Sequence, residues 1–338
     1  MKILVTGGAG FIGGNFLRIM VPLHPEDTFV CFDALTYAGH KATIAGLEDY
    51  PNFRFVQGDI RDGEAVEALF AQGRFDAVVH FAAETHVDRS QKDANPFWET
   101  NYRGTCVLLS AAYFHGVKRF HHVSTDEVYG GQSLDEIDRP CDEGTMLHPT
   151  NPYAASKAAG DLAVLSYGRA GNIAVTISRC TNNYGPYQHP EKLIPLCFSL
   201  AKQDKEIPIY GQGLNRRDWI YVEDHCYAID KILRHGKPGE IYNISGHASL
   251  TNLEVVQRIL GMLGKPLDRI AFVADRPNHD GKYVIADYKI ENELGFVPSV
   301  AFGEGLEKTI RWYLDHEGWL QSIWEEEEYR SWMKDHYR

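Results

Sequence analysis

The 338-residue chain lacks the features that mark several large classes of protein. No apolar run approaches the ~20 residues a bilayer-spanning helix needs. The first residues show no basic region, apolar stretch and cleavage site of a signal peptide; Met1 and Lys2 lead at once into a strand-like run. The six cysteines, at 31, 106, 141, 180, 197 and 226, form no CxxC pair and no short metal-ligand spacing. They read as small buried thiols in a reducing cytoplasm, not as a disulfide framework. Positive charge is in deficit: 34 Lys and Arg against 46 Asp and Glu leave a net charge of −12. Such a surface suits neither nucleic acid nor anionic membrane, so an anionic ligand must be met by local Arg, Lys and helix N-termini. Repeats, low-complexity tracts and the HExxH, GxSxG and Walker A patterns are all missing. The fifteen His include the pair 121–122, but in a strand those rings point to opposite faces and cannot share an ion, so no metal is expected.

What remains is a globular composition, 44% hydrophobic and 24% charged, with material for a large core and two lobes. In the first half, strand-like runs at 2–6, 28–33, 53–57, 77–81 and 119–124 alternate with helical patterns such as 63–71 and 96–114. A long helix at 152–169 and a strand at 174–179 follow. That alternation implies right-handed βαβ units and a parallel, doubly wound, Rossmann-like α/β sheet. Beyond about residue 184, Pro and Gly become frequent. Strand fragments at 208–210 and 240–243 and helices at 253–263 and 305–313 suggest a smaller C-terminal α/β substrate lobe. The expected division is 1–184 for cofactor binding and 185–338 mainly for substrate, interleaved near the middle. The tail from Trp319, rich in Glu, Trp and Tyr, carries no assignment.

The first strand runs into Gly7-Gly8-Ala9-Gly10-Phe11-Ile12-Gly13. Glycines at 7, 10 and 13 give a turn whose bare backbone can approach a pyrophosphate, which would sit on the following helix N-terminus. The GxxGxxG spacing resembles the short-chain dehydrogenase/reductase superfamily. Asp33 ends the second strand twenty residues after Gly13, where a carboxylate can accept the ribose hydroxyls of NAD and repel the 2′-phosphate of NADP. Asp59-Ile60 fits the adenine side, and Phe81-Ala82-Ala83 lets a cofactor lie close.

Tyr153 and Lys157 stand at i and i+4 and share a helix face. A nearby ammonium is expected to lower the phenol's pKa, so that Tyr153 can act as base toward a sugar hydroxyl. Thr125-Asp126-Glu127 follows the fifth strand, at the sheet edge that faces the ligand crevice. The plain alternative is a helix N-cap with an acidic first turn.

With Thr125, Asp126, Glu127, Tyr153 and Lys157 in place, the chain resembles the dTDP-glucose 4,6-dehydratases over nearly its whole length. The resemblance includes 33–39, 83–90, 182–186, 191–195, 217–219 and Asp275-Arg276-Pro277. It implies NAD as a tightly bound cofactor, held also by Ala34, Leu35, Thr36, Thr100, Ser124 and Asn183. It implies oxidation at carbon 4 with Tyr153 as base and Thr125 hydrogen-bonding the oxygen. Glu127 would abstract the carbon-5 proton, Asp126 would protonate the hydroxyl leaving carbon 6, and hydride would return to carbon 6. Thr85 and His86 would touch the hexose, although His86 reads equally as a core histidine. Asn182, Lys192 and Leu193 would approach the diphosphate, and Pro208, Ile209 and Tyr210 would line the base pocket. Arg217 and Arg276 would hold the phosphates, with Asn243 and His279 nearby. The matching family helices form a four-helix interface, so a homodimer is implied. Thr85 replaces the family's usual Ser, Trp98 and Tyr102 are unusually bulky, and 130–140 departs from the family's loop. Three alternatives remain open from the residues: a UDP-sugar dehydratase, a related epimerase or decarboxylase, and a non-catalytic NAD-binding regulator. Thymine against uracil, one methyl group, is not legible.

Overall fold

The structure is a computed structural model that describes residues 1–171, 173–276 and 279–336. Its strands are β1 (Lys2–Thr6), β2 (Thr28–Asp33), β3 (Phe53–Gln57), β4 (Ala77–His80), β5 (Arg119–Thr125), β6 (Ala174–Cys180), β7 (Asn182–Tyr184), β8 (Ile207–Tyr210), β9 (Arg216–Tyr221), β10 (Ile241–Ile244), β11 (Ser249–Thr251) and β12 (Ile270–Val273). Seven of them form a parallel sheet in the order β10-β6-β5-β4-β1-β2-β3. β1 and β4 are almost continuously apolar and buried, as a sheet covered on both faces requires. Helices Phe11–Leu23 and Val222–His235 cover one face. Gly63–Gly73, Thr105–Phe114 and Pro152–Arg169 cover the other. Strand order reverses between β1 and β4, and the ligand crevice of such a sheet lies there, beyond the strands' carboxyl ends.

The second half gives a three-stranded sheet, β11-β9-β7, and a parallel pair, β12-β8. They pack with helices Leu193–Lys202, Asn252–Met262 and Phe302–Asp315 around Tyr184, Phe198, Trp219, Val256 and Tyr313. The halves interleave, because β10 joins the main sheet beside β6. The tail is helical, at Glu317–Trp324 and Glu327–His336.

Two local readings change. The expected helix at 96–114 is three pieces: Asn95–Phe97, a π-helical Trp98–Gly104 and the α-helix Thr105–Phe114. Within it the Thr105 hydroxyl donates to the Asn101 carbonyl at 2.7 Å. β5 continues one residue further than its apolar pattern, so Thr125 is its last residue.

Candidate active site

The glycine-rich turn is shaped by contact. Gly7 has φ +70°, and a Cβ there would lie 2.5 Å from the backbone nitrogen of Ala82. At Gly13 a Cβ would lie 2.4 Å from the Gly7 carbonyl oxygen. The helix Phe11–Leu23 begins with Gly10 as N-cap and no side chain capping it, so its first N–H groups face the crevice as an anion site. Asp33 accepts from Ala9 N at 2.9 Å and Leu35 N at 2.7 Å, clasping the turn it stands beside. Burial raises its pKa, and those two N–H groups oppose the rise.

One cleft is lined by Gly7, Gly10, Phe11, Ile12, Gly13, Asp33, Ala34, Thr36, Asp59, Ile60, Phe81, Ala82, Ala83, Thr100, Ser124 and Asn183. Leu35 is the exception on the cofactor side: it has φ +55° and packs its side chain on the core beneath the sheet. The bare turn, the uncapped helix start and the acceptor at the end of β2 fit a dinucleotide such as NAD.

The catalytic candidates line the same cleft. Tyr153 and Lys157 lie on Pro152–Arg169, whose N-cap Asn151 accepts from Ala154 N at 2.9 Å. Lys157 donates to the Val123 carbonyl at 2.8 Å, and burial lowers its pKa to about 8. Tyr153 corrects the expectation of a lowered phenol: its pKa is raised well above 10, first by burial and then by the charge of Glu127. The physical reason is desolvation: a phenolate buried at this depth loses its hydration, and the charges of Glu127 and Asp126 disfavour it further.

After Thr125, residues Asp126–Tyr129 make a short 3₁₀ turn capped by the Thr125 hydroxyl, which accepts from Glu127 N at 3.3 Å. The N-cap alternative is therefore what the backbone shows, and the capped turn's two acidic residues line the cleft. The same hydroxyl donates to Asp126 Oδ1 at 3.2 Å. Burial, then the charges of Glu127 and Asp218, push the Asp126 carboxyl up to about 8. Burial also raises Glu127, but a hydrogen bond from Asn151 at 3.2 Å and the charges of Arg217 and Lys192 hold it toward its anion. Both carboxyls are raised by burial, and Asp126, at about 8, is held as the neutral acid.

Thr85, Glu127, Asn182 and Lys192 also border a second cleft, which adds His86, Leu193, Pro208, Ile209, Tyr210, Arg217, Arg276 and His279. Lys192 donates to the Thr85 carbonyl at 2.9 Å. His86 is buried and its pKa is well below 6.5, mainly by burial, so the ring is neutral. Asn243 does not reach this cleft. It is fully buried, accepts from the Tyr129 hydroxyl at 2.8 Å and donates to the Cys141 and Ala286 carbonyls, so it props the loop behind the catalytic turn. Asn252 lines the cleft instead. It follows Thr251, whose capping box with Glu254 was the available signal for a helix beginning there. Pro277 lies outside the described residues.

The sequence reading also passed over Asn101 and Asn151. Asn101 accepts from Glu84 N at 2.8 Å and donates to the Glu84 carbonyl and to Ser156 Oγ, joining the end of β4 to the Tyr153 helix. His121 and His122 do face apart: His121 bonds Thr176 and Ser178, while His122 lies 3.5 Å from Lys157 and Asp161.

A dinucleotide cleft with a Tyr–Lys helix crossing its catalytic end defines a protein of the short-chain dehydrogenase/reductase class. More narrowly, the chain belongs to the GDP-mannose 4,6 dehydratase family, whose model matches residues 4–309. It is 48% identical to a dTDP-glucose 4,6-dehydratase of Streptomyces niveus, covering 96% of each chain. It is 49% identical to the low-salt glycan biosynthesis protein Agl12 of Haloferax volcanii, covering 93% of this chain and 99% of that one. Among solved structures it is similar to the dTDP-glucose 4,6-dehydratase DesIV from Streptomyces venezuelae, determined with NAD and TYD bound. The TM-score is 0.90 at 47% identity, over 96% of this chain and all of the other.

Proposed function

We propose that this chain catalyses the NAD-dependent 4,6-dehydration of a nucleotide-diphospho-hexose, with dTDP-glucose as substrate and the 4-keto-6-deoxy sugar nucleotide as product. The observation that carries this reading is the adjacent pair Asp126 and Glu127, which line the same cleft as Tyr153 and Lys157. Elimination of water needs an acid and a base on neighbouring carbons; Asp126, pushed up to about 8, suits the acid and Glu127 beside it the base. Oxidation at carbon 4 alone, as in epimerisation, would need neither. The names of the similar proteins support the same substrate.

Bound NAD supplies the hydride acceptor for carbon 4, the donor for carbon 6 and, while oxidised, a positive ring charge that favours the Tyr153 phenolate. Tyr153 takes the proton of the carbon-4 hydroxyl, and Thr125 orients that oxygen. The resulting ketone acidifies carbon 5, where Glu127 removes the proton. Asp126, neutral beforehand, protonates the departing carbon-6 hydroxyl, and Glu127 returns its proton to carbon 5 as carbon 6 receives hydride. Residues 1–184 hold the cofactor side and 185–338 mainly the nucleotide side, where Arg217, Arg276 and His279 meet the diphosphate and Pro208, Ile209 and Tyr210 the base.

We also read the protein as a homodimer. Phe114 is 78% exposed and Leu162 61%, and Trp98 and Tyr102 are also exposed, all on the two long helical segments at 95–114 and 152–169. No helix among the described residues is long and apolar enough to cross a membrane. All six cysteines are free thiols, which suits a cytoplasmic enzyme.

The test is incubation of the purified protein with dTDP-glucose and with UDP-glucose, following the alkali-absorbing 4-keto-6-deoxy product. Faster turnover of dTDP-glucose is expected. Formation of an epimerised hexose with no keto product would overturn the dehydratase reading.

A further inference from the structure

Helix Val87–Lys92 carries a carboxylate that the chemistry above does not use. Asp88 is 5% exposed, and its partners Arg276 and Tyr210 line the nucleotide-side cleft. Its Oδ1 lies 2.7 Å from Arg276 Nε, and its Oδ2 accepts from Arg276 Nη2 at 2.8 Å. The Tyr210 hydroxyl also donates to Oδ2, at 3.3 Å. The Arg276 guanidinium in turn lies over the Tyr210 ring, 4.5 Å from its centroid. The guanidinium is thus gripped along one edge by a carboxylate and across one face by an aromatic ring.

We infer that Asp88 is a positioning residue for the diphosphate, aiming Arg276 into the cleft. The inference rests on the proposed reading of this cleft as a nucleotide-sugar site. Arg276 sits in irregular backbone between β12 and helix Tyr288–Leu294. A long arginine there has many rotamers to lose before it can meet a phosphate with its planar fork. Asp88 and Tyr210 select one orientation in advance, and binding then loses less conformational freedom. The carboxylate also cancels one positive charge at a site meant for an anion. The trade favours binding because orientation of a paired fork contributes more than one unit of diffuse attraction in a wet cleft. Asp88 belongs to the helix just after Thr85 and His86, so the same helix links the hexose end to the phosphate end.

The experiment compares wild type, D88N, R276Q and D88N/R276Q as NAD-loaded protein, measuring inhibition by dTDP and by thymidine. D88N is expected to weaken dTDP about tenfold while thymidine binding and NAD content stay unchanged. R276Q should weaken dTDP similarly, and the double variant should be no weaker than R276Q, because both changes remove one arrangement. D88E keeps the buried charge, displaces the fork by one methylene and should also weaken dTDP, which covers the case in which D88N does not fold. Unchanged or tighter dTDP binding by D88N or D88E would overturn the inference. So would additive losses in the double variant, or parallel loss of dTDP and thymidine. Wild type that binds no dTDP would overturn the reading of the cleft itself, and the inference with it.

Discussion

The ammonium of Lys157 donates a hydrogen bond to the carbonyl oxygen of Val123, 2.8 Å away. Val123 lies two residues before Thr125, so this bond holds the Tyr153 helix and the acid–base turn together as one piece. Replacing Lys157 by Met leaves a buried carbonyl unpaired, which costs about 1–3 kcal/mol. The expected outcome is a lower melting temperature, loss of bound NAD and turnover reduced by about 100-fold or more. Cofactor absorbance of the purified variant and a thermal melt measure each part.

Glu127→Gln keeps the shape and the Asn151 contact but removes the base. Oxidation at carbon 4 should proceed and elimination should stall, with keto-deoxy product falling by about 100-fold or more. Rapid-mixing absorbance of the reduced nicotinamide should then show a band that persists. A variant that dehydrates at the wild-type rate would remove Glu127 from the mechanism.

Asp126 must be neutral to donate its proton, and it titrates at about 8. Lys157 loses its charge at about 8 as well. Turnover should therefore decline as pH rises through that region, while the acid limb reports Glu127, raised from 4.5. Stability follows the same group. The folded Asp126 binds a proton up to about 8, whereas the unfolded one releases it near 3.8. Between those values the native state holds more protons, so stability falls with rising pH. Asp126→Asn cannot ionise and should melt higher than wild type at pH 9, by a few degrees or about 2–4 °C per kcal/mol, with the gap closing at pH 5.

Asp33 accepts from two backbone N–H groups with its two oxygens. An amide has one acceptor oxygen, so Asp33→Asn unpairs either Ala9 N or Leu35 N and loosens the glycine-rich turn. NAD content should fall, with affinity reduced about tenfold. Equilibrium titration with NAD, monitored by calorimetry, would settle the size of the effect.

The dimer rests on the exposed apolar side chains of the two long helical segments. Leu162→Glu or Phe114→Glu should give a monomer at micromolar concentration by sedimentation while leaving the cleft residues unchanged. Sedimentation of the wild type as a monomer would discard the dimer outright.

The amino-acid sequence alone determined the features that are local or periodic. β1 and the glycine turn are contiguous, Asp33 lies at a set distance, and Tyr153 and Lys157 share a face because a helix repeats every 3.6 residues. Asp126 and Glu127 stood out because they follow a strand end. Tertiary structure decided everything that depends on distant partners. Asn101 matters through Ser156, 55 residues away, and Asp88 through Arg276, 188 residues away. Asn243 went to the interior because its neighbours in the folded sheet and loop, not its place in the chain, supply its hydrogen bonds. The surroundings of the catalytic groups were set in the same way. Spacing suggested a lowered phenol beside a lysine, but burial and an opposing carboxylate raised it. Desolvation depends on what surrounds a group in three dimensions, and a linear sequence does not specify those surroundings until it has folded.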